Sequence, residues 1–238
     1  MEDNNGVLIN EDSSPPPMRI LPEPVRADSL SRQVFGILKD AVFQGKFKPG
    51  EQLPEIQVAR WLNVSQATVR EALVQMEQSG LVVRFKNRKT QVAKLTKEDV
   101  LDRLVMCSAL EPKASVRAAA ALDAHDFAEL DEKVRVIERM PEEGGAYLAS
   151  MAHLEFHQLI WKKTNSPILI RTLEHLTTPL FAFLKHEHSG GVNPHRTILE
   201  ALRSGDEAAI EQAVQADIDS TYNWYFNLDR KCEIVSAA

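Results

Sequence analysis

Apolar residues recur at helical spacing through most of the chain. After Ser29, a residue suited to capping a helix, Leu30, Val34, Ile37, Leu38 and Ala41 fall three and four apart, the period of an amphipathic helix. Gly45 closes that segment, and Lys48-Pro49-Gly50 makes a turn. A second helix is expected from about Pro54 to Leu62, burying Ile56, Ala59 and Leu62. A third is expected from Ser65 to about Ser79, burying Val69, Leu73 and Met76, with only Asn63-Val64-Ser65 as the turn between them. Gly80 caps the third helix. Leu81-Val82-Val83 and Thr90-Gln91-Val92 then read as two short strands around the tip Lys86-Asn87-Arg88-Lys89. Helices joined by a tight turn and followed by a β-hairpin make a winged helix-turn-helix.

From Thr96 onward strand signals vanish. Helices are expected at about 98–121, 124–140, 145–164, 167–187, 194–204 and 206–228, separated by Pro- and Gly-bearing breaks. Pro112 interrupts the first of these and is expected to kink it. The predicted fold is mainly α: a winged helix-turn-helix with a small β-hairpin wing, then an all-α bundle of about six helices. Residues 1–28, with five prolines among acidic and small residues, read as a disordered or extended tail. The predicted units are 1–28, 29–95 and 96–238.

Composition narrows the function classes. In 238 residues, 44% are apolar and 26% charged, ordinary usage for a chain that buries a core. No apolar run approaches the roughly 20 residues of a membrane span, and the acidic N-terminus lacks the pattern of a signal peptide. Two cysteines, Cys107 and Cys232, imply no disulfide framework and fit a reducing cytoplasm. The net charge of −6 hides an asymmetry: residues 29–95 hold eleven Lys/Arg against five Asp/Glu, whereas 96–238 hold fifteen against twenty-three. Because charge is screened over roughly 10 Å, a basic module can bind DNA beside an acidic neighbour.

In a winged helix-turn-helix the third helix enters the major groove. The side chains able to reach DNA are then Ser65, Gln66, Thr68 and Arg70. Arg70 supplies a planar fork that matches guanine O6/N7 or a phosphate, and Lys86, Arg88 and Lys89 at the wing tip would neutralise phosphates without reading sequence. A basic hairpin tip alone is more often a solvated turn, and a lone helical Arg a surface charge. The order of elements, rather than any one residue, favours DNA.

Histidines provide the second candidate site. All seven follow residue 124. His153 and His157 are four apart in "HLEFH" and share a helix face. His195 lies eleven residues before Asp206 and Asp217 eleven after it, so the two stand at equal height on an antiparallel hairpin turning at Gly205-Asp206. Three imidazoles and one carboxylate suit a divalent ion such as Zn²⁺, Ni²⁺, Mn²⁺ or Fe²⁺. The bland alternative is a set of interior histidines with hydrogen-bond partners. A metalloprotease motif is excluded, because Glu155 sits two residues after His153, about 200° around the helix. Cys107 reads as a small core residue, and Trp161, Trp224, Tyr222, Phe181 and Phe183 as core at helical spacing.

The strings Gly45-Lys46-Phe47-Lys48-Pro49-Gly50-Glu51-Gln52-Leu53 and Val64-Ser65-Gln66-Ala67-Thr68-Val69-Arg70-Glu71-Ala72-Leu73 resemble the GntR family of bacterial transcription regulators over residues 29–92. The family commonly has Arg where Gln66 stands, and glycine in the wing where Lys86-Asn87-Arg88-Lys89 stands. Leu110-Glu111-Pro112, Phe156-His157, His195-Arg196-x-Ile198-Leu199-x-Ala201-Leu202 and Gly205-Asp206 resemble the FCD ligand-binding domain of its FadR branch over about 98–228. Metal-binding members use an Asp, a His, a second His and a third His at positions that fall on His153, His157, His195 and Asp217, so one carboxylate and three imidazoles remain in permuted order. The resemblance implies a metal lining the pocket of a small organic effector, often a carboxylic acid. Many members carry an Arg to grip that acid where Cys107 stands; the candidate effector contacts are therefore Cys107 and Arg103, which lies one turn earlier and could substitute for that Arg. The implied function is a ligand-responsive regulator, a repressor of a catabolic operon, binding palindromic double-stranded operator DNA as a homodimer. The alternatives are a metal-dependent enzyme using the same four residues and a dimerising module without a small ligand.

Overall fold

The computed structural model describes residues 30–86, 89–139, 145–184 and 194–236. The expected tail 1–28, the cap Ser29 and the wing residue Arg88 lie outside the described residues. The N-terminal unit comprises α1 (Leu30–Phe43), α2 (Glu55–Leu62), α3 (Gln66–Gln78), β1 (Val82–Arg84) and β2 (Thr90–Val92). Asn63, at φ 51°, turns the chain out of α2, as a short polar side chain in the left-handed region can. Ser65 caps α3 by accepting the Thr68 amide at 3.1 Å, which satisfies one of the amides a helix start leaves unpaired. The strands pair antiparallel, Val82 opposite Val92. Their core is Val34, Leu38, Leu53, Val58, Val69, Leu73, Met76 and Leu81.

Ile56, expected in that core, is 51% exposed. The buried face of α2 centres on Val58 and Ala59, and position 56 lies outside that arc at 100° per residue. Eight residues give too few turns for apolar spacing alone to choose between the two faces.

The C-terminal unit is a bundle of α4 (Lys97–Ala119), α5 (Ala124–Glu138), α6 (Gly145–Lys162), α7 (Pro167–Phe183), α8 (Pro194–Ser204) and α9 (Glu207–Ser236). Capping boxes start α4, from Thr96 and Asp99, and α5, from Asp123 and Asp126. The helix α4 is continuous through Pro112, and α9 extends eight residues beyond its expected end. Helix α4 packs against α9 and α7, and α5 against α6 and α8. The bundle interior is built from Leu104, Leu130, Phe156, Ile160, Ile198, Leu199, Ile210 and Val214.

The units share a seam. Leu154 of α6 and Ala182 of α7 belong to the N-terminal core, with Tyr147, Met151, Phe181 and Phe183 packed against it. Pro179 lies inside α7 and has no amide hydrogen, so the carbonyl four residues back, at His175, lacks its helical partner. Arg103 of α4 supplies one: its Nη1 donates to the His175 carbonyl at 2.6 Å and to that of Leu176 at 3.0 Å. On the other side, His175 Nδ1 donates to the carbonyl of Gln78, the last residue of α3, at 3.1 Å. Gly80 follows at φ +74°, and a Cβ there would lie 2.9 Å from both the His175 carbonyl oxygen and Pro179 Cγ.

Candidate functional site

Two surfaces carry the candidate chemistry. At the start of α3, Ser65, Gln66 and Arg70 are exposed and Thr68 is half-buried. The Ser65 and Thr68 hydroxyls are hydrogen-bonded to each other at 2.8 Å, so both are partly engaged in building the helix start. Arg70 is held by Glu55, the first residue of α2: Nε and Nη2 donate to Oε2 at 3.3 Å and 3.1 Å. Lys86 and Lys89 are exposed at the hairpin tip, which the Phe85 amide closes by bonding to the Lys89 carbonyl.

The second surface is enclosed. His157 of α6, His195 of α8 and Asp217 of α9 each offer a ligand atom within 4.8 Å of the others. His157 Nε2 lies 3.2 Å from His195 Nε2 and 3.5 Å from Asp217 Oδ2. The hairpin that brings His195 beside Asp217 turns at Gly205, φ +69°, and α9 is started by Asp206, whose Oδ1 accepts the amides of Ala208 and Ala209. His153, one turn before His157, falls outside the convergent group. It is buried and stacks on the His195 ring, with centroids 4.5 Å apart, and it lines the same cavity.

Glu111 of α4 stands behind His157, with Oε1 2.6 Å from Nδ1, a close charge contact rather than an aligned hydrogen bond. A carboxylate on Nδ1 fixes the ring and turns Nε2 toward the other ligands, the outer-shell arrangement that metal-binding histidines use. Burial disfavours a charged His157, yet Glu111 and Asp217 outweigh it and push its pKa up to about 10. Burial alone would raise Asp217. The adjacent imidazoles, His195 foremost, instead hold it below the usual carboxylate range.

The cavity around these groups measures about 60 Å³ and is also lined by Leu104, Cys107, Thr177, Leu180, Phe181 and Leu184. Cys107 therefore faces the pocket, with burial and then Glu111 holding its thiol well above the usual range. Arg103 is not among the lining residues. Its guanidinium serves the α7 carbonyls freed by Pro179, a demand invisible in the spacing of α4 alone. Of the aromatic residues considered, Phe181 lines the cavity, Trp161 fills a separate small core with Ala114 and Leu173, Phe183 packs on the N-terminal core, Tyr222 is exposed and Trp224 is half-buried. Glu155 turns away from the histidines to pair with Lys133. In a second group, Asp123, His125 and Asp126, the two carboxylates form the capping box of α5, and Asp126 also pairs with Lys163.

Family models match both units: "Bacterial regulatory proteins, gntR family" over residues 30–92 and "FCD domain" over residues 102–220. The chain belongs to the GntR family, in its FCD branch. As a GntR regulator it is a DNA-binding transcription regulator and not an enzyme. Similar proteins include the uncharacterized regulator YdhC of Bacillus subtilis, 26% identical over 77% of this chain and 85% of that protein. The probable D-xylose utilization operon transcriptional repressor of Paenarthrobacter nicotinovorans is 25% identical over 78% of this chain and 84% of that protein. The repressor RspR of Escherichia coli has the same identity and coverage. Among solved structures, Escherichia coli McbR/YncC superposes with a TM-score of 0.67 at 24% identity, covering 84% of this chain and all of that one. A putative GntR regulator from Rhodococcus sp. RHA1 gives 0.63 at 24%, covering 87% and 98%. Both share the fold of this GntR chain.

Sequence reasoning did not assign Glu55 or Glu111. Glu111 lies in Leu110-Glu111-Pro112, one of the strings that carry the FCD resemblance, but nothing in its spacing to His157 shows that α4 and α6 meet there. No helix among the described residues is long and apolar enough to cross a membrane.

Proposed function

We propose that this GntR regulator is a cytoplasmic, homodimeric repressor, organised as a DNA-binding unit over 29–95 and a sensing unit over 96–238, and that a divalent ion in the helical pocket forms part of its effector site. His157, His195 and Asp217 would hold the ion, with His153 beside them and Glu111 behind His157. The observation that carries this reading is the convergence of those three ligand atoms, from three helices, within 4.8 Å, with both histidines buried and Asp217 half-buried. Two imidazoles and a carboxylate suit a borderline ion such as Zn²⁺, Ni²⁺, Mn²⁺ or Fe²⁺. The ion, when bound, would supply the positive charge that attracts a carboxylate effector. No Lys or Arg lines the cavity among the described residues, and its volume favours an effector well below drug size. DNA contact is assigned to Ser65, Gln66, Thr68 and Arg70 on α3 and to Lys86, Arg88 and Lys89 on the wing.

The helix α7 supports a route between pocket and DNA. Thr177, Leu180, Phe181 and Leu184 line the cavity, while His175 and Pro179 abut the end of α3 at Gln78 and Gly80. An occupant that fits one placement of α7 better than another shifts the population of the attached recognition helix, and only through that difference in affinity.

Titration calorimetry of the full chain with Zn²⁺, Ni²⁺ and Mn²⁺ tests the metal assignment. Wild type is expected to bind one ion per chain, and His157→Ala none. Equal stoichiometry in the variant removes the site, and absence of metal from the wild type favours a bundle that only dimerises. DNA retention assays with duplexes from the flanking genes, run with and without metal, test operator control.

A further inference from the structure

We infer that Glu55 is a positioning residue for DNA recognition: it grips one edge of Arg70 so that the other edge faces the duplex, and it keeps Arg70 and Arg84 from acting as free phosphate grips. This rests on the reading that the N-terminal end of α3 faces DNA. Glu55 opens α2, yet its side chain is only 10% exposed, whereas that of Arg70 is 46% exposed. Both donors it receives from Arg70, Nε at 3.3 Å and Nη2 at 3.1 Å, come from the side of the guanidinium. A guanidinium has five N–H donors. Two are occupied by Glu55, and those at the Nη1–Nη2 end remain to form the fork that fits guanine O6/N7 or a phosphate.

The other carboxylate oxygen reaches the wing. Glu55 Oε1 lies 3.9 Å from Nη2 of Arg84 on β1, and Arg84 Nη1 lies 3.7 Å from Glu77 of α3. One carboxylate therefore links α2, α3 and the wing strand, the three elements whose relative placement sets groove fit. Two arginines face two glutamates, so the patch carries little net charge and adds little to non-specific attraction. Oε1 is buried and accepts no hydrogen bond, an arrangement that is unfavourable for stability alone. The carboxylate instead serves to present Arg70, which it holds through Oε2.

The test uses the full-length protein and two duplexes: one selected by the wild type from a randomised pool, and a scrambled duplex of the same composition. Binding is measured across a salt series. Glu55→Gln keeps the volume and removes the charge. It is expected to bind the scrambled duplex more tightly and to steepen the log–log salt slope by about 0.9 for each phosphate gained. The selected-to-scrambled ratio is expected to fall about tenfold, as loss of one aligned bidentate contact would cause. Arg70→Ala is expected to lower the ratio without steepening the slope, and adding Glu55→Gln to it is expected to lower the ratio no further. Glu55→Asp keeps the charge and carries the test should the Gln variant not fold: its slope should match the wild type and its ratio fall between the two. An unchanged ratio in both Glu55 variants, with the ratio lowered in Arg70→Ala, overturns the role of Glu55. An unchanged ratio in Arg70→Ala instead overturns the underlying placement of α3, and the inference with it.

Discussion

Gly80 and Gly205 form a natural pair for measuring how tightly the two units are joined. Both hold the left-handed backbone, at φ +74° and φ +69°. An alanine at either site bears the backbone penalty of that region, roughly 1–2 kcal/mol. The surroundings differ. A Cβ at Gly205 meets nothing within 4 Å, whereas at Gly80 it would lie 2.9 Å from the His175 carbonyl oxygen and 2.9 Å from Pro179 Cγ. Neither obstacle is the mobile end of a flexible chain. The oxygen belongs to the backbone of α7 and is held by Arg103, and the carbon belongs to a proline ring inside that helix. Relief requires α7 to move away from α3, an overpacking cost of about 1–3 kcal/mol. Gly205→Ala is therefore expected to lose about 1–2 kcal/mol and Gly80→Ala about 2–5 kcal/mol, measured by urea unfolding followed by circular dichroism. A difference between the two below about 0.5 kcal/mol, the ordinary scatter of innocuous substitutions, would refute the reasoning, because the seam would then yield without resistance.

Three further outcomes follow from the geometry. Removing the carboxylate behind His157 should weaken Zn²⁺ binding by about 10–100-fold, with Glu111→Ala worse than Glu111→Gln, which keeps the volume and a polar oxygen beside Nδ1; unchanged calorimetric affinity in both would remove Glu111 from the site. In a Cys232→Ser background, Cys107 should resist iodoacetamide at neutral pH until the protein is unfolded, since burial holds its thiol protonated; rapid labelling of the native protein, read by mass spectrometry, would contradict this. Pairing with Lys163, then the bond from the Asp123 amide, holds Asp126 below the usual carboxylate range, so its contribution is present above pH ~4 and lost as pH falls through the lowered value. Asp126→Asn should cost about 1 kcal/mol at neutral pH, the scale of a helix cap, and the gap to the wild type should close as pH falls through the lowered value; a gap that persists in strong acid would point to packing instead.

Local physics made much of the molecule legible before any coordinates. Helix periods, the Ser65 cap, the turn at Asn63 and the glycines after α3 and α8 are interactions within a few residues, so the winged helix-turn-helix and the six-helix bundle could be read from spacing. The antiparallel α8–α9 hairpin extends that reach: equal rise on both arms places His195 beside Asp217. Where two faces of a short helix compete, as at Ile56 and Val58, period alone could not choose.

What remained hidden depends on contacts between distant parts of the chain. Arg103 lies 72 residues from His175, and its role exists only because Pro179 leaves a carbonyl unpaired on a different helix. Glu111 meets His157 only where α4 crosses α6, and Glu55 meets Arg70 across the α2–α3 turn. Each of these polar groups is ambiguous in isolation, because an exposed charge and a charge awaiting a partner have the same local pattern. Burial resolves the ambiguity: a carboxylate taken from water must find a donor, and packing between helices decides which donor is within reach.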